Sequence, residues 1–153
     1  MFVFISTLIK YYLMIEFRVE KPFTLPSSIV WEIVRDVNSI PNYWKGTREL
    51  DVKEIKEGVY EGTVRFAVPM RGKVRITVSD NDKILLFEYL KGPIIGYNKV
   101  SVGENKIVSE WKVRMTGLLK IMDKWNSKHF MKGTQNALER IIQEARNRIN
   151  KNY

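Results

Sequence analysis

Residues 23–46, FTLPSSIVWEIVRDVNSIPNYWKG, place a short amphipathic helix directly before a proline and a pair of aromatic side chains. Apolar residues at helical spacing, with a proline and two serines at the start, predict a helix over about 26–37. Pro41 then breaks the pattern, and Asn38 or Ser39 is a candidate cap for one further short turn. A helix with one apolar face needs a sheet or another helix to pack on. The rest of the chain must supply that surface.

Alternating side chains predict strands before and after this helix. In the first strand Ile15, Phe17 and Val19 alternate with charged residues, which is the period of a half-buried strand. Short turn sequences separate six further strand patterns. These patterns lie near residues 47–55, 59–68, 73–79, 84–90, 95–102 and 106–116. Short connections predict an antiparallel meander with one packed face and one wet face.

The period becomes helical from residue 118 to about residue 150. Gly133 and Thr134 lie between the two apolar parts of this segment and predict either two helices or one bent helix. We therefore expect one α+β domain over residues 15–150, with a curved antiparallel sheet of about seven strands wrapped around a long C-terminal helix. Two short helices follow the first strand, and the length of 153 residues suits a single domain.

The first fourteen residues, MFVFISTLIKYYLM, are mostly apolar and carry one charge, Lys10. They lack the charge pattern and cleavage site of a secretory signal, and Lys10 interrupts them well short of a membrane span of roughly twenty residues. We therefore expect a cytoplasmic protein. Residues 1–14 are either a segment that packs on the domain or its partner, which would allow a homodimer, or an upstream extension of the reading frame with Met14 as the natural start.

The net charge of +9 is concentrated in the C-terminal part of the chain. From residue 111 onward ten basic residues face three acidic ones, and Lys120, Lys124, Lys128 and Lys132 recur along one helix face. This stripe is either a solvated face or a contact for an anionic membrane or a protein partner. Nucleic acid is a weak option, because no base-stacking motif accompanies the stripe. A Lys- and Glu-rich chain without cysteine is also typical of thermophilic proteins.

Few residues are available for catalysis or metal binding. The chain has no cysteine, which excludes disulfides and thiolate nucleophiles, and it has one histidine, His129. The remaining acid–base candidates are Asp36, Glu49 and Glu88, and no Ser/His/Asp set, phosphate-binding glycine loop or paired-carboxylate spacing includes them. We therefore predict no catalytic residue, no metal site and no cofactor, and favour binding over catalysis.

The order of elements resembles the START-like superfamily, also called SRPBCC, with its helix-grip fold. The resemblance rests on Val30-Trp31, Asp36, Ile40-Pro41, Tyr43-Trp44 and Gly46. Within the superfamily the pattern is similar to the branch that contains polyketide cyclase/dehydrase-like proteins, coenzyme Q-binding proteins and one of the carbon monoxide dehydrogenase subunits. The resemblance implies a cavity between the sheet and the long helix, in which the family binds lipids, quinones, polyketides or other apolar molecules.

Strand alternation and helical spacing select the residues that would line such a cavity. They are Trp44, Tyr60, Val64, Phe66, Val74, Ile76, Phe87, Tyr89, Trp111, Val113, Met115, Met122, Trp125 and His129. The same side chains are equally suited to fill a closed core. The predicted function is binding or transport of a hydrophobic small molecule or lipid. Two alternatives stay open: a cyclase or dehydratase acting in the same cavity, and an assembly or co-chaperone module.

Overall fold

The computed structural model describes residues 14–66, 70–116 and 127–151. The elements in chain order are β1 (Met14–Pro22), α1 (Ser27–Val34), a 3-10 helix (Val37–Ser39), α2 (Ile40–Tyr43), β2 (Thr47–Lys56), β3 (Val59–Phe66), β4 (Arg71–Ser79), β5 (Ile84–Lys91), β6 (Ile94–Val102), β7 (Lys106–Met115) and α3 (Ser127–Lys151). This order confirms the predicted α+β helix-grip architecture. The predictions made for residues 1–13, and for Lys120, Met122, Lys124 and Trp125, fall outside the described residues.

All seven described strands form one antiparallel sheet in the order β1-β7-β6-β5-β4-β3-β2. The consecutive strands β2 to β7 make the predicted meander, and β1 adds to its end by pairing with β7. Alternation sets the two faces: on β7, Trp111 and Val113 are buried whereas Lys112 between them is exposed. The buried face is the one that packs against the helices.

The two short helices differ from expectation in where the first one ends. α1 ends at Val34 rather than near residue 37, after burying Val30, Trp31 and Ile33. Pro41 does not end a helix but lies in the first turn of α2. A backbone N–H at that position has no acceptor within the helix, so its absence in proline costs no hydrogen bond. Ser39 takes the N-cap position of α2, but its hydroxyl donates to Asp36 Oδ2 (2.7 Å) and does not cap the helix.

The helix α3 is one continuous helix of 25 residues that passes through Gly133, where two helices were an open expectation. Its apolar face is buried from Phe130 to Ala145, with Leu138 and Ile142 showing no exposure. The packing of that face outweighs the unfavourable free energy of one glycine inside a helix, about 1 kcal/mol. No helix in the described ranges has the length and apolar character that crossing a bilayer requires.

A candidate ligand cavity between the sheet and the long helix

A cavity of about 310 Å³ lies between the inner face of the sheet and α3. Strands β3, β5, β6 and β7 form one wall, and the helices α1 and α2 with the α2–β2 loop form another. The helix α3 closes the third side with Phe130, Thr134 and Ile141. The cavity is therefore built by the elements that define the fold.

Aromatic rings make up much of the wall, and Trp111 is at their centre. The Tyr89 ring is stacked on the Trp111 indole with centroids 6.0 Å apart and planes 20° apart. Phe130 meets the same indole edge-on at 5.4 Å, and Trp44 is tilted against it at 6.1 Å. These separations are those of favourable aromatic pairs. Three separate parts of the chain thus meet on one ring at the cavity wall.

Gly96 allows a close approach of β6 and β7 beside the aromatic wall. In the sheet register Gly96 lies opposite Tyr89 on one side and Val113 on the other. It has a φ of 137°, and a Cβ there would collide with the backbone carbonyl of Lys112. Because Gly96 carries no side chain, the backbone of β7 can approach it closely at this point.

The inner wall also carries a few polar groups. Ser109 Oγ donates a 2.6 Å hydrogen bond to Asn98 Oδ1, and both residues are buried. Burial raises the pKa of the Tyr89 hydroxyl well above its usual range. Among the described residues, Trp111 Nε1 is the one fully enclosed side-chain nitrogen or oxygen without a hydrogen-bond partner. Polar side chains are therefore few on this part of the wall.

The exposed lining residues mark the rim of the cavity. Lys45 lies in the α2–β2 loop on one side, and His129 and Asn136 lie on α3 on the other. Arg140 Nη1 joins the two sides by donating a 2.9 Å hydrogen bond to the carbonyl oxygen of Tyr43. The described lining residues include Lys45 and Arg140 but no Asp or Glu. The rim is accordingly basic, whereas the inner wall is aromatic.

The structure brings together six of the residues selected from the sequence. Trp44, Phe66, Phe87, Tyr89, Trp111 and His129 all border the cavity. The other selected residues in the described ranges also point to the inner face of the sheet. They are not among the described residues that line the cavity. Val64, Val74, Ile76, Val113 and Met115 belong to the buried core, and Tyr60 packs against that core. Alternation identifies which residues of a strand face inward, but it does not show where a gap separates the sheet from the helix. Ligand contact by any of these residues stays a prediction.

Several lining residues were not selected from the sequence. Asn98 and Val100 on β6 lie on the wall, as do Thr134 and Arg140 on α3. The available signal was Asn98 itself, a polar residue at an inward position between Gly96 and Val100 on a strand that otherwise buries apolar side chains. On α3, Lys128 and Lys132 are exposed, as a solvated or partner-binding stripe requires.

Of the four acid–base candidates, His129 is the one on the cavity wall. The Asp36 carboxylate accepts the hydrogen bond from Ser39, and Glu49 forms an exposed ion pair with Arg65 at 2.8 Å. Glu88 alternates with the inward residue Phe87 on β5 and lies on the opposite face. Among the described residues no group of three His, Asp or Glu side chains is arranged to hold a metal ion.

Solved structures with the same architecture include an aromatase/cyclase, a major latex-like protein and a lipid transfer protein. The Zhui aromatase/cyclase from Streptomyces sp. R1128 is 16% identical, with a TM-score of 0.60 over 89% of this chain and 96% of that chain. Major latex-like protein 151 from Panax ginseng is 15% identical, with a TM-score of 0.60 over 86% and 97%. A STAR-related lipid transfer protein fragment from Xanthomonas axonopodis is 11% identical, with a TM-score of 0.60 over 86% and 85%. No protein-family model and no curated protein sequence matches this chain.

Proposed function

The chain has the START-like, helix-grip fold, and on that premise we propose that it binds a small apolar molecule between the sheet and α3. The observation that carries the proposal is the cavity of about 310 Å³ with aromatic rings on its wall. Small-molecule sites have volumes of roughly 300 to 1,000 Å³ and mostly apolar linings. The lipid transfer and aromatase/cyclase names of the structural neighbours support the same interpretation by analogy of fold.

Binding would follow from transfer of apolar surface out of water. Each Å² of apolar area that leaves water contributes about 25 cal/mol, and rings stacked on Trp111 or Phe130 add specific aromatic contacts. The basic rim at Lys45 and Arg140 is the natural entrance, because Lys45 is exposed and Arg140 half-buried. Lys128 and Lys132 are exposed one position before His129 and Gly133 on α3, both of which line the cavity. A contact of this helix with an anionic membrane would therefore place the entrance close to the lipid.

Native mass spectrometry of the purified chain, followed by calorimetric titration with 2-naphthol, tests the proposal. We expect either a stoichiometric apolar ligand from the host cell or saturable binding of 2-naphthol. A Val100→Phe variant should lose that binding, because Val100 is a buried residue of the wall and a larger side chain fills the space. Val59→Phe, a change of the same kind on β3 outside the lining, should keep it. Absence of both a ligand and naphthol binding in the wild type would refute the proposal.

A dehydratase or cyclase activity in the same cavity is the second candidate. It is supported by the position of His129 on the wall and by the aromatase/cyclase neighbour. A β-hydroxy ketone such as 4-hydroxy-4-phenylbutan-2-one tests it, since removal of an α proton and the hydroxyl yields one enone and one water. We expect His129→Gln to abolish enone formation and to retain binding of the probe. If the wild type forms no enone, the acid–base hypothesis is wrong for this substrate class.

A further inference from the structure

Two buried polar side chains lie side by side on the cavity wall, one on β5 and one on β6. Tyr89 pairs with Gly96 in the register, and Asn98 pairs with Phe87. Tyr89 and Asn98 are therefore diagonal neighbours on the inner face of adjacent strands, within reach of one small group. Both border the cavity, and their exposed fractions are 6% and 4%.

Each of the two side chains has hydrogen-bonding capacity that the described residues leave unused. The Asn98 amide bonds to Ser109 Oγ through one of its two polar atoms. Whichever way the amide is turned, its other polar atom has no partner in the described part of the chain. The Tyr89 hydroxyl likewise has no hydrogen-bond partner there, and its pKa is raised because burial disfavours the charged form.

Both of these atoms belong to residues that line the cavity. The one side-chain nitrogen or oxygen that is both fully enclosed and without a partner in the described ranges is Trp111 Nε1. The Tyr89 hydroxyl and the free amide atom of Asn98 have no described partner, and the cavity that their residues line is the space from which a partner can reach them. Buried polar groups in proteins are rarely left unpaired, so a molecule filling the cavity must supply a partner.

We propose that Tyr89 and Asn98 form a polar subsite that selects ligands by one hydroxyl or carbonyl oxygen. A carbonyl oxygen accepts from both the Tyr89 hydroxyl and the Asn98 amide, and a ligand hydroxyl accepts from one while donating to the other. The apolar remainder of the ligand then lies against Trp111, which is stacked on Tyr89, and against Phe130, which meets the same indole edge-on. This inference rests on the proposed function and specifies the chemistry of its ligand.

Calorimetric titration with 2-naphthol and naphthalene tests the subsite, because the two probes differ by one hydroxyl. We expect the wild type to bind 2-naphthol roughly tenfold more tightly than naphthalene, since burial makes an unmet hydrogen bond unfavourable. Tyr89→Phe should reduce this preference to about twofold or less. Tyr97→Phe is the matched control: it removes the same hydroxyl from the outer face of β6, where Tyr97 is 37% exposed, and should leave the preference unchanged.

Folding does not obscure the result, because Tyr89→Phe removes an atom that bonds to no described residue. Its melting temperature should equal or exceed that of the wild type. An unchanged preference in both Tyr89→Phe and Asn98→Leu would overturn the subsite. Equal affinity of the wild type for both probes would overturn the subsite alone. Failure of the wild type to bind either probe, together with the absence of a co-purified apolar ligand, would also overturn the proposed function.

Discussion

The indole nitrogen of Trp31 donates a 2.9 Å hydrogen bond to Asp80 Oδ1. Arg35, the C-cap residue of α1, donates to both oxygens of the same carboxylate at 2.7 and 3.2 Å. One side chain in the turn between β4 and β5 therefore holds two residues of the first helix. These hydrogen bonds hold the pKa of Asp80 below its usual value, and the bond from Arg35 has a larger effect than the bond from Trp31.

Asp80→Asn should remove a pH-dependent part of the stability. Because the folded pKa of Asp80 is depressed, its contribution is present above the unfolded pKa of about 3.9 and is lost as the pH falls through the folded value. We expect the variant to have a lower urea midpoint than the wild type at pH 7, and the gap to close in strong acid. Asp51→Asn, a carboxylate without a side-chain partner in the described ranges, is the control. A gap that is constant with pH would contradict the assignment.

Two glycine-to-alanine changes should have opposite effects. Gly96→Ala places a Cβ against the backbone of Lys112 at a φ of 137°, so it should destabilise the fold by at least about 1 to 3 kcal/mol. Gly133→Ala meets nothing within 4 Å on α3 and should stabilise the fold by about 0.5 to 1 kcal/mol. Urea denaturation measures both. Equal effects of the two changes would show that the close approach at Gly96 is not what the structure indicates.

Trp44→Ala should weaken ligand binding and leave the fold intact. Trp44 is half-buried on the cavity wall, with its ring 6.1 Å from that of Trp111. Loss of such a ring contact should lower the affinity for 2-naphthol roughly tenfold in calorimetric titration. Ile55→Ala truncates a large side chain that is 55% exposed on β2, away from the cavity, and should have no effect. If both variants bind alike, Trp44 does not contact the ligand.

Lys128→Gln combined with Lys132→Gln should reduce binding to vesicles that contain phosphatidylserine. Both lysines are exposed on α3, and each basic residue near an anionic surface contributes about 1 kcal/mol. Co-sedimentation should show weaker binding by the double variant, and binding by the wild type should fall as salt is raised. Lys53→Gln with Lys56→Gln on β2 is the charge-matched control. If the two double variants sediment equally with the vesicles, the lysine stripe is a solvated face and not a membrane contact.

The sheet was predicted well from the sequence, because the alternation of apolar and polar residues corresponds directly to which side chains are buried. Trp111 and Val113 are buried and Lys112 is exposed, as the pattern in β7 requires. The patterns were weaker wherever tertiary packing decides the outcome. Gly133 does not divide α3, because the buried face continues on both sides of it. Pro41 begins a helix, since its position in the first turn loses no hydrogen bond.

The candidate site was harder to predict from the sequence than the sheet. Phe87 and Val74 face the same way on neighbouring strands, yet Phe87 borders the cavity and Val74 belongs to the packed core. The difference depends on the distance between sheet and helix, which periodicity does not contain. The role of Asn98 depends on its partner Ser109 on the next strand, and that partnership follows from the register.

The placement of the tryptophans gives this molecule an internal optical probe. Of the three tryptophans in the described ranges, Trp44 and Trp111 border the cavity and Trp31 is bonded to Asp80 outside it. A molecule that enters the cavity changes the polarity around two indoles and leaves the third in place. Emission from Trp44 and Trp111 should therefore shift or quench as the cavity fills, so unlabelled protein can be screened against a compound library in a spectrometer.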